Sequence, residues 1–263
     1  MAQRPSRSLK HEYELYLERE IENYKESVQR SVLLSIADEA VRILDAQQQF
    51  GLTEFLLCTE VDRIIFKRLR LPNVAVWGKR RIKELAELRR PEHWGLRRDD
   101  LVVRAVHPVV DNSHVLVAGA SVETPALYLA ANGCDVTALA DADAVQRVMD
   151  AAARAGLGER VHASAAALDS FTPENPLTAV IYTAAAFTGL SSAERARVIQ
   201  VLQSATADGG VHLVQTIVAG KRTAVSIEEL RRRYRGWDVT VDEGAPDSFL
   251  ARKGMAEVRR NDA

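Results

Sequence analysis

Residues 115–140 read VLVAGASVETPALYLAANGCDVTALA, and this stretch constrains the fold more than any other. Val115, Leu116 and Val117 are a short apolar run of the kind a strand buried on both faces needs. Gly119 follows as a turn, and Ala126 to Ala131 read as a helix whose Leu127, Leu129 and Ala130 can pack on a sheet. Gly133 ends that helix, and Val136, Ala138 and Leu139 read as a second strand. Strand, turn, helix and strand in this order predict a βαβ unit, hence a mostly parallel, doubly wound α/β sheet. A ligand site at such a turn wants two further glycines, so that backbone can approach the ligand at the helix N-terminus. It also wants an acid closing the second strand. Ser121 and Glu123 stand where the glycines belong, and Ala140 stands where the acid belongs.

The segment LVAGASVETPALYLAANGCDVTALA resembles the ligand-binding segment of class I S-adenosylmethionine-dependent methyltransferases, and of the tellurite-resistance methyltransferases among them. Leu127, Tyr128, Leu129, Ala130, Gly133, Asp135, Val136 and Ala138 carry the resemblance. A second match is Glu229-Leu230-Arg231-Arg232 with Tyr234 and Gly236-Trp237, followed by Leu250-Ala251-Arg252-Lys253. Gly209-Gly210 resembles that family's Pro-Gly-Gly turn, with Asp208 in place of the proline. The resemblance spans residues 112–254 and implies a Rossmann-like methyltransferase domain. It also implies a set of cofactor contacts that this chain departs from. The carboxylate that grips the ribose falls at Ala140, with Asp141 one residue late, where a strand side chain points to the other face. The acid that holds the adenine falls near Ala165, and the aspartate near the end of the first strand is Val117. Glu123 puts a negative charge where the methionine carboxylate would approach.

Tyr182-Thr183, after the apolar Ala179-Val180-Ile181, falls at the end of a fourth strand, on the edge where such sheets bind ligands. A residual pocket would then be lined by Gly119, Ser121, Asp141 and Tyr182-Thr183. The expectation is a non-catalytic domain with no cofactor, or S-adenosylmethionine if the site is active. No other catalytic residue and no metal ligand set stands out. No two of the six histidines are three or four residues apart, as a helical metal site wants. His212, beside Leu213 and Val214, reads as a satisfied core or edge residue. Ser191-Ser192-Ala193-Glu194 reads as a capping box opening a helix rather than as a nucleophile.

Before residue 108 almost everything reads as helix, which predicts a helical domain over 1–107 and the α/β domain over 108–263. Val106-His107-Pro108 is the boundary. Residues 8–30 carry Glu, Lys and Arg at helical spacings but only a thin stripe of Tyr13, Leu15, Tyr16, Leu17, Ile21 and Tyr24. That helix is expected on a partner surface or another subunit. Ser31 to Gln48 is amphipathic; Gly51 breaks it and Thr53 can cap the next helix, which ends before Pro72. Phe55, Leu56, Val61, Ile64, Ile65 and Leu69 form its expected core face.

Lys67, Arg68, Arg70, Lys79, Arg80, Arg81, Lys83, Arg89, Arg90, Arg97 and Arg98 face only Glu84, Glu87 and Glu92 across residues 67–98, with Trp77 and Trp94 interleaved. Two readings stand. One is an anion-binding face for nucleic acid or an acidic protein, with a helix pair around Pro72. The other is a salt-bridged surface balancing the acidic first helix.

A formal net charge of −1 supplies no global field toward nucleic acid or membrane. Cys58 and Cys134 read as two buried free thiols of a reducing compartment. The polar start and the lack of an 18-residue apolar run disfavour secretion and membrane spanning, so a cytoplasmic protein is expected. Three functions remain open. The first is a structural or regulatory protein that binds a protein partner or itself through the helical domain. The second is an active methyltransferase on a small soft nucleophile, with an atypical cofactor pocket. The third is a nucleic-acid-binding regulator using residues 67–98.

Overall fold

The computed structural model describes residues 8–46, 54–106, 113–215, 225–241 and 248–255. By contacts the chain divides into residues 1–84 and 85–263. The expected boundary at 107/108 lies outside the described residues, and the observed division falls earlier. The reason is apolar: Leu88, Val102 and Val103 are buried in the core of the second unit, with Trp94, Leu96 and Leu101 packed against it. Sequence places these residues among helices, but packing places them with the sheet.

The first unit holds α1 (Leu9–Ser27), α2 (Arg30–Ala46), α3 (Glu54–Arg68) and the start of α4 (Val74–Leu88). Ser8 caps α1, its hydroxyl accepting the His11 N–H at 3.2 Å. Ile36, Ala40 and Leu44 recur every four residues on α2, so they share one face; all three are buried. Ile36 and Ala40 form the small core with Ile21, Ile64 and Ile65. Two expectations fail on α3. Phe55 is 77% exposed instead of lying in the core, and Cys58 is exposed instead of buried. Both lie in the first two turns of α3, whereas its buried residues, Glu60, Ile64 and Ile65, lie further along the helix. The expected break at Gly51 and cap at Thr53 fall outside the described residues.

In the second unit, a 3-10 turn (Pro91–Trp94) and α5 (Leu101–Val106) lead to β1 (His114–Ala118), α6 (Glu123–Ala131) and β2 (Asp135–Leu139). Then come α7 (Ala142–Ala155), β3 (Val161–Ser164), β4 (Leu177–Thr183) and a 3-10 turn (Ala184–Phe187). The chain continues with α8 (Ser192–Ala205), β5 (Thr206–Gln215), α9 (Ile227–Arg233), β6 (Asp238–Val241) and β7 (Ser248–Arg252). The strands form one seven-stranded sheet in the order β3-β2-β1-β4-β5-β7-β6, with only the β7 pairings antiparallel.

Alternation along the central strands divides the core into two layers. Val115 and Val117 pack with α6 and α7 on one face, while Leu116 and Ala118 pack with α8 and α9 on the other. This is the doubly wound, Rossmann-like sheet that the sequence resemblance implies, preceded by a helical region. Among the described residues no helix is long and apolar enough to cross a membrane.

Candidate functional site

The sheet order places β1 beside β4, and their following helices lie on opposite faces. That is the switch point where open α/β sheets bind ligands, beyond the carboxyl ends of the strands. Gly119 and Thr183 meet there.

Gly119 has φ +107°, a conformation that favours glycine. A Cβ at this position would lie 2.3 Å from the Thr183 hydroxyl oxygen and 3.1 Å from the Ala186 nitrogen. The glycine therefore serves a close approach, but the group that approaches is the chain itself. The Thr183 hydroxyl accepts the Ala120 N–H at 2.8 Å, so the amide that a ligand could use is already bonded. The Ala184–Phe187 turn is fixed from below: Ala184 and Phe187 are buried, and the Phe187 ring packs edge-on against Tyr182 at 5.0 Å.

The N-terminus of α6 is poorly made for an anion. Its first residue is Glu123, its third is Pro125, which has no N–H, and its cap residue Val122 supplies no side-chain hydrogen bond. Ser121 is exposed in the left-handed region at φ +57°. At the end of β2, Ala140 follows Leu139 in register and donates its N–H to the Ser164 carbonyl. Asp141 comes next and is already employed as the N-cap of α7, accepting the Ala144 N–H at 2.8 Å.

Of the expected lining residues, Gly119, Ser121 and Asp141 sit on loops at this edge, but Tyr182 does not serve it. Its side chain is fully buried on the opposite side of β4 from Ile181. The alternation of the strand decides this, because residues 180 and 182 share a face. At the end of β2, where a grip of the S-adenosylmethionine type would place an acid, stands Ala140, and Asp141 beside it caps α7.

What Tyr182 does instead is the polar feature that sequence reasoning missed. Its hydroxyl lies 2.7 Å from that of Tyr234, which lies 2.6 Å from His212 Nδ1. His212 Nε2 is 2.7 Å from the Thr206 hydroxyl, which donates to the Leu202 carbonyl at 2.6 Å. The carbonyl can only accept, and this fixes the direction of the whole chain. Thr206 spends its one proton on Leu202, so it accepts from His212 Nε2–H; Nδ1 then accepts from Tyr234, and Tyr234 accepts from Tyr182.

Every hydroxyl and both ring nitrogens are paired with a neutral imidazole. Burial, with Lys253 adding a smaller push, lowers His212 to about 3. Burial likewise raises both tyrosines above their ordinary value. The sequence reading of His212 as a satisfied core residue holds. Its partners lie 6 and 22 residues away, on elements whose pairing no local pattern announces. Tyr182, His212 and Tyr234 are all fully buried.

The basic stretch is partly neutralised in place. Arg68 pairs with Glu39, Arg81 with Glu12, Arg90 with Glu87, Arg97 with Asp99 and Arg98 with Glu92. Arg89 donates to the Ala131 carbonyl. Lys67, Arg70, Lys79, Arg80 and Lys83 stay exposed. The salt-bridged reading accounts for about half the run, including the expected balance between α1 and this segment.

No family model and no curated protein matches this chain. Solved structures do resemble it. TehB from Haemophilus influenzae is 18% identical at a TM-score of 0.46, over 58% of this chain and 61% of that one. The N-methyltransferase NodS from Bradyrhizobium japonicum WM9 is 14% identical at 0.45, over 58% and 92%. The glycopeptide N-methyltransferase MtfA, complexed with S-adenosylmethionine, is 16% identical at 0.42, over 56% and 88%. The chain therefore spans about three-fifths of the length of TehB, and the likeness is one of fold.

Proposed function

We propose that this protein is a non-catalytic, methyltransferase-like protein with a structural or regulatory role, acting through contacts made by its helical unit. The observation that carries the reading is the bond from Ala120 N–H to the Thr183 hydroxyl, with Gly119 pressed against the same side chain. The amide most directly aimed at a ligand is spent within the chain. The absence of an acid at Ala140 and the capping duty of Asp141 support the same reading. Each lost charge-assisted hydrogen bond costs about 1.5–3 kcal/mol. Two lost carboxylates then weaken cofactor binding by roughly two to four decades.

Isothermal calorimetry with S-adenosylmethionine at millimolar concentration tests this. The expected result is no saturable binding below the millimolar range. A dissociation constant in the low micromolar range would overturn the reading. It would favour instead an active methyltransferase with an atypical pocket, the chemistry of neighbours such as MtfA, which is complexed with that cofactor.

A further inference from the structure

We infer that α1 is a releasable strap on the helical unit: it undocks and loses its helix while α2, α3 and the α/β unit stay folded. Among the described residues the small core takes Ile36 and Ala40 from α2, Ile64 and Ile65 from α3, and only Ile21 from α1. Ile21 is also the one buried residue among the 19 of α1, whereas α2 buries Ile36, Ala40 and Leu44. Tyr13, Leu17, Ile21 and Tyr24 recur every three or four residues, so α1 docks by a single face, and all of these but Ile21 are only half-buried. One buried aliphatic side chain is little against the entropy lost in ordering a helix of this length.

Other ties of α1 are polar or half covered. In its first turn Glu12 pairs with Arg81 of α4 at 3.3 Å, and the Tyr13 hydroxyl donates to the Pro72 carbonyl at 2.9 Å. The Tyr13 and Tyr16 rings lie 5.5 and 5.8 Å from Trp77. In the last turn Lys25 pairs with Asp62 of α3 at 2.8 Å, and these side chains are 28% and 42% exposed, so water competes for the pair. Only Val28 and Gln29 lie between α1 and α2, and Val28 has extended backbone (φ −98°, ψ 154°). A few residues between two helix ends are enough to absorb a hinge rotation. The released helix does not persist. Glu14, Glu18, Glu22 and Glu26 stand four apart, so like charges meet on successive turns. Most helix stability in proteins comes from packing, which undocking removes. Release therefore melts α1, bares the Trp77 ring on which two tyrosines pack, and opens the core to which Ile21 belongs. Use of this opening to control contacts rests on the role proposed above; the motion itself does not.

Hydrogen exchange on the full chain near neutral pH, read by mass spectrometry, tests the inference. The amides of residues 16–21 lie in the middle of α1, away from ends that fray in any helix. They are expected to be at least about tenfold less protected than the middles of α2 and α3, and less protected still than β1 and β4. Arg81→Met and Lys25→Met each cut one tie to a neighbouring helix. Each should speed exchange over residues 16–21 by about twofold to fivefold, the worth of an ion pair near the surface, and leave α2 and α3 unchanged. Ile21→Ala removes the buried anchor and should speed it by about tenfold or more.

Protection over residues 16–21 equal to that of α2 and α3 overturns the inference. So does exchange that Arg81→Met and Lys25→Met leave unchanged. An Ile21→Ala chain in which α2 and α3 lose protection together with α1 also overturns it, because the helices then open as one cooperative unit. Cofactor calorimetry reads the non-catalytic proposal separately. Micromolar binding there would leave the exchange pattern standing, and a protected α1 here would leave the calorimetry standing.

Discussion

The α8/α9 side of the sheet and the α1/α4 face of the helical unit treat their polar and aromatic groups in opposite ways. Behind the sheet, Tyr182, Tyr234 and His212 are fully buried, and a chain of hydrogen bonds ending on the Leu202 carbonyl satisfies every one. On α1 and α4, Tyr13, Tyr16 and Trp77 are half-covered, and Val74 and Ile82 are exposed. The first region has closed its interactions within one chain. The second leaves apolar area exposed.

The largest effect expected from breaking this contrast is Tyr234→Phe. The substitution keeps the ring packing against Phe249 and Trp237 but removes the middle hydroxyl. Tyr182 then loses its acceptor and His212 Nδ1 its donor, both in the core. Each buried group left without a partner costs about 1–3 kcal/mol, so a loss of roughly 2–6 kcal/mol is expected in urea unfolding. Tyr182→Phe removes only the first donor of the chain and should cost about 1 kcal/mol. Equal costs for the two would show that the chain does not run in the derived direction.

Next in size is acid. His212 titrates at about 3 in the folded protein, below the ordinary 6.5 of the unfolded chain. Below pH 6.5 the unfolded state therefore binds the extra proton first. Stability is flat above that pH, falls as pH drops from 6.5 toward 3, and levels below. At pH 5 the loss is roughly 2 kcal/mol, from about 1.4 kcal/mol per pH unit over the interval. Glutamates ordinarily titrate near 4.5, so they add little by pH 5. Urea midpoints at pH 7.5 and pH 5 measure the effect. No difference between them would place solvent at His212.

Much of the α/β frame is legible in the sequence because alternation and apolar runs report burial directly. Val115 to Val117, Ala126 to Ala131 and Val136 to Leu139 lie within the expected strand, helix and strand. Ser191 and Glu194 form the expected capping box. Missing chemistry at Ala140 is legible for the same reason, since an ungapped match fixes the register of β2. Three features are not legible. Thr183 reaches Ala120 across 63 residues, Tyr182 turns inward to a tyrosine 52 residues away, and Leu88 joins the sheet core rather than the helices before it. Each is a tertiary choice between faces that a local pattern leaves open. Phe55 and Cys58 show the reverse error: both fall early in an apolar helical run whose buried residues lie further along it.

The smallest expected effect on stability sharpens the comparison from the other side. Ile82 is a large aliphatic residue at 55% exposure on α4. In a chain whose fold ends at its own surface, Ile82→Ser removes a side chain from water into which it already projects. Surface changes of this kind stay within about 0.5 kcal/mol. Serine is a poorer helix former than isoleucine by only a few tenths of a kcal/mol, which lies inside that range. Urea unfolding should therefore place the variant on the wild type. A loss of 2 kcal/mol or more would instead make Ile82 a core residue of its own chain, and the contrast between a closed region and an open one would fail.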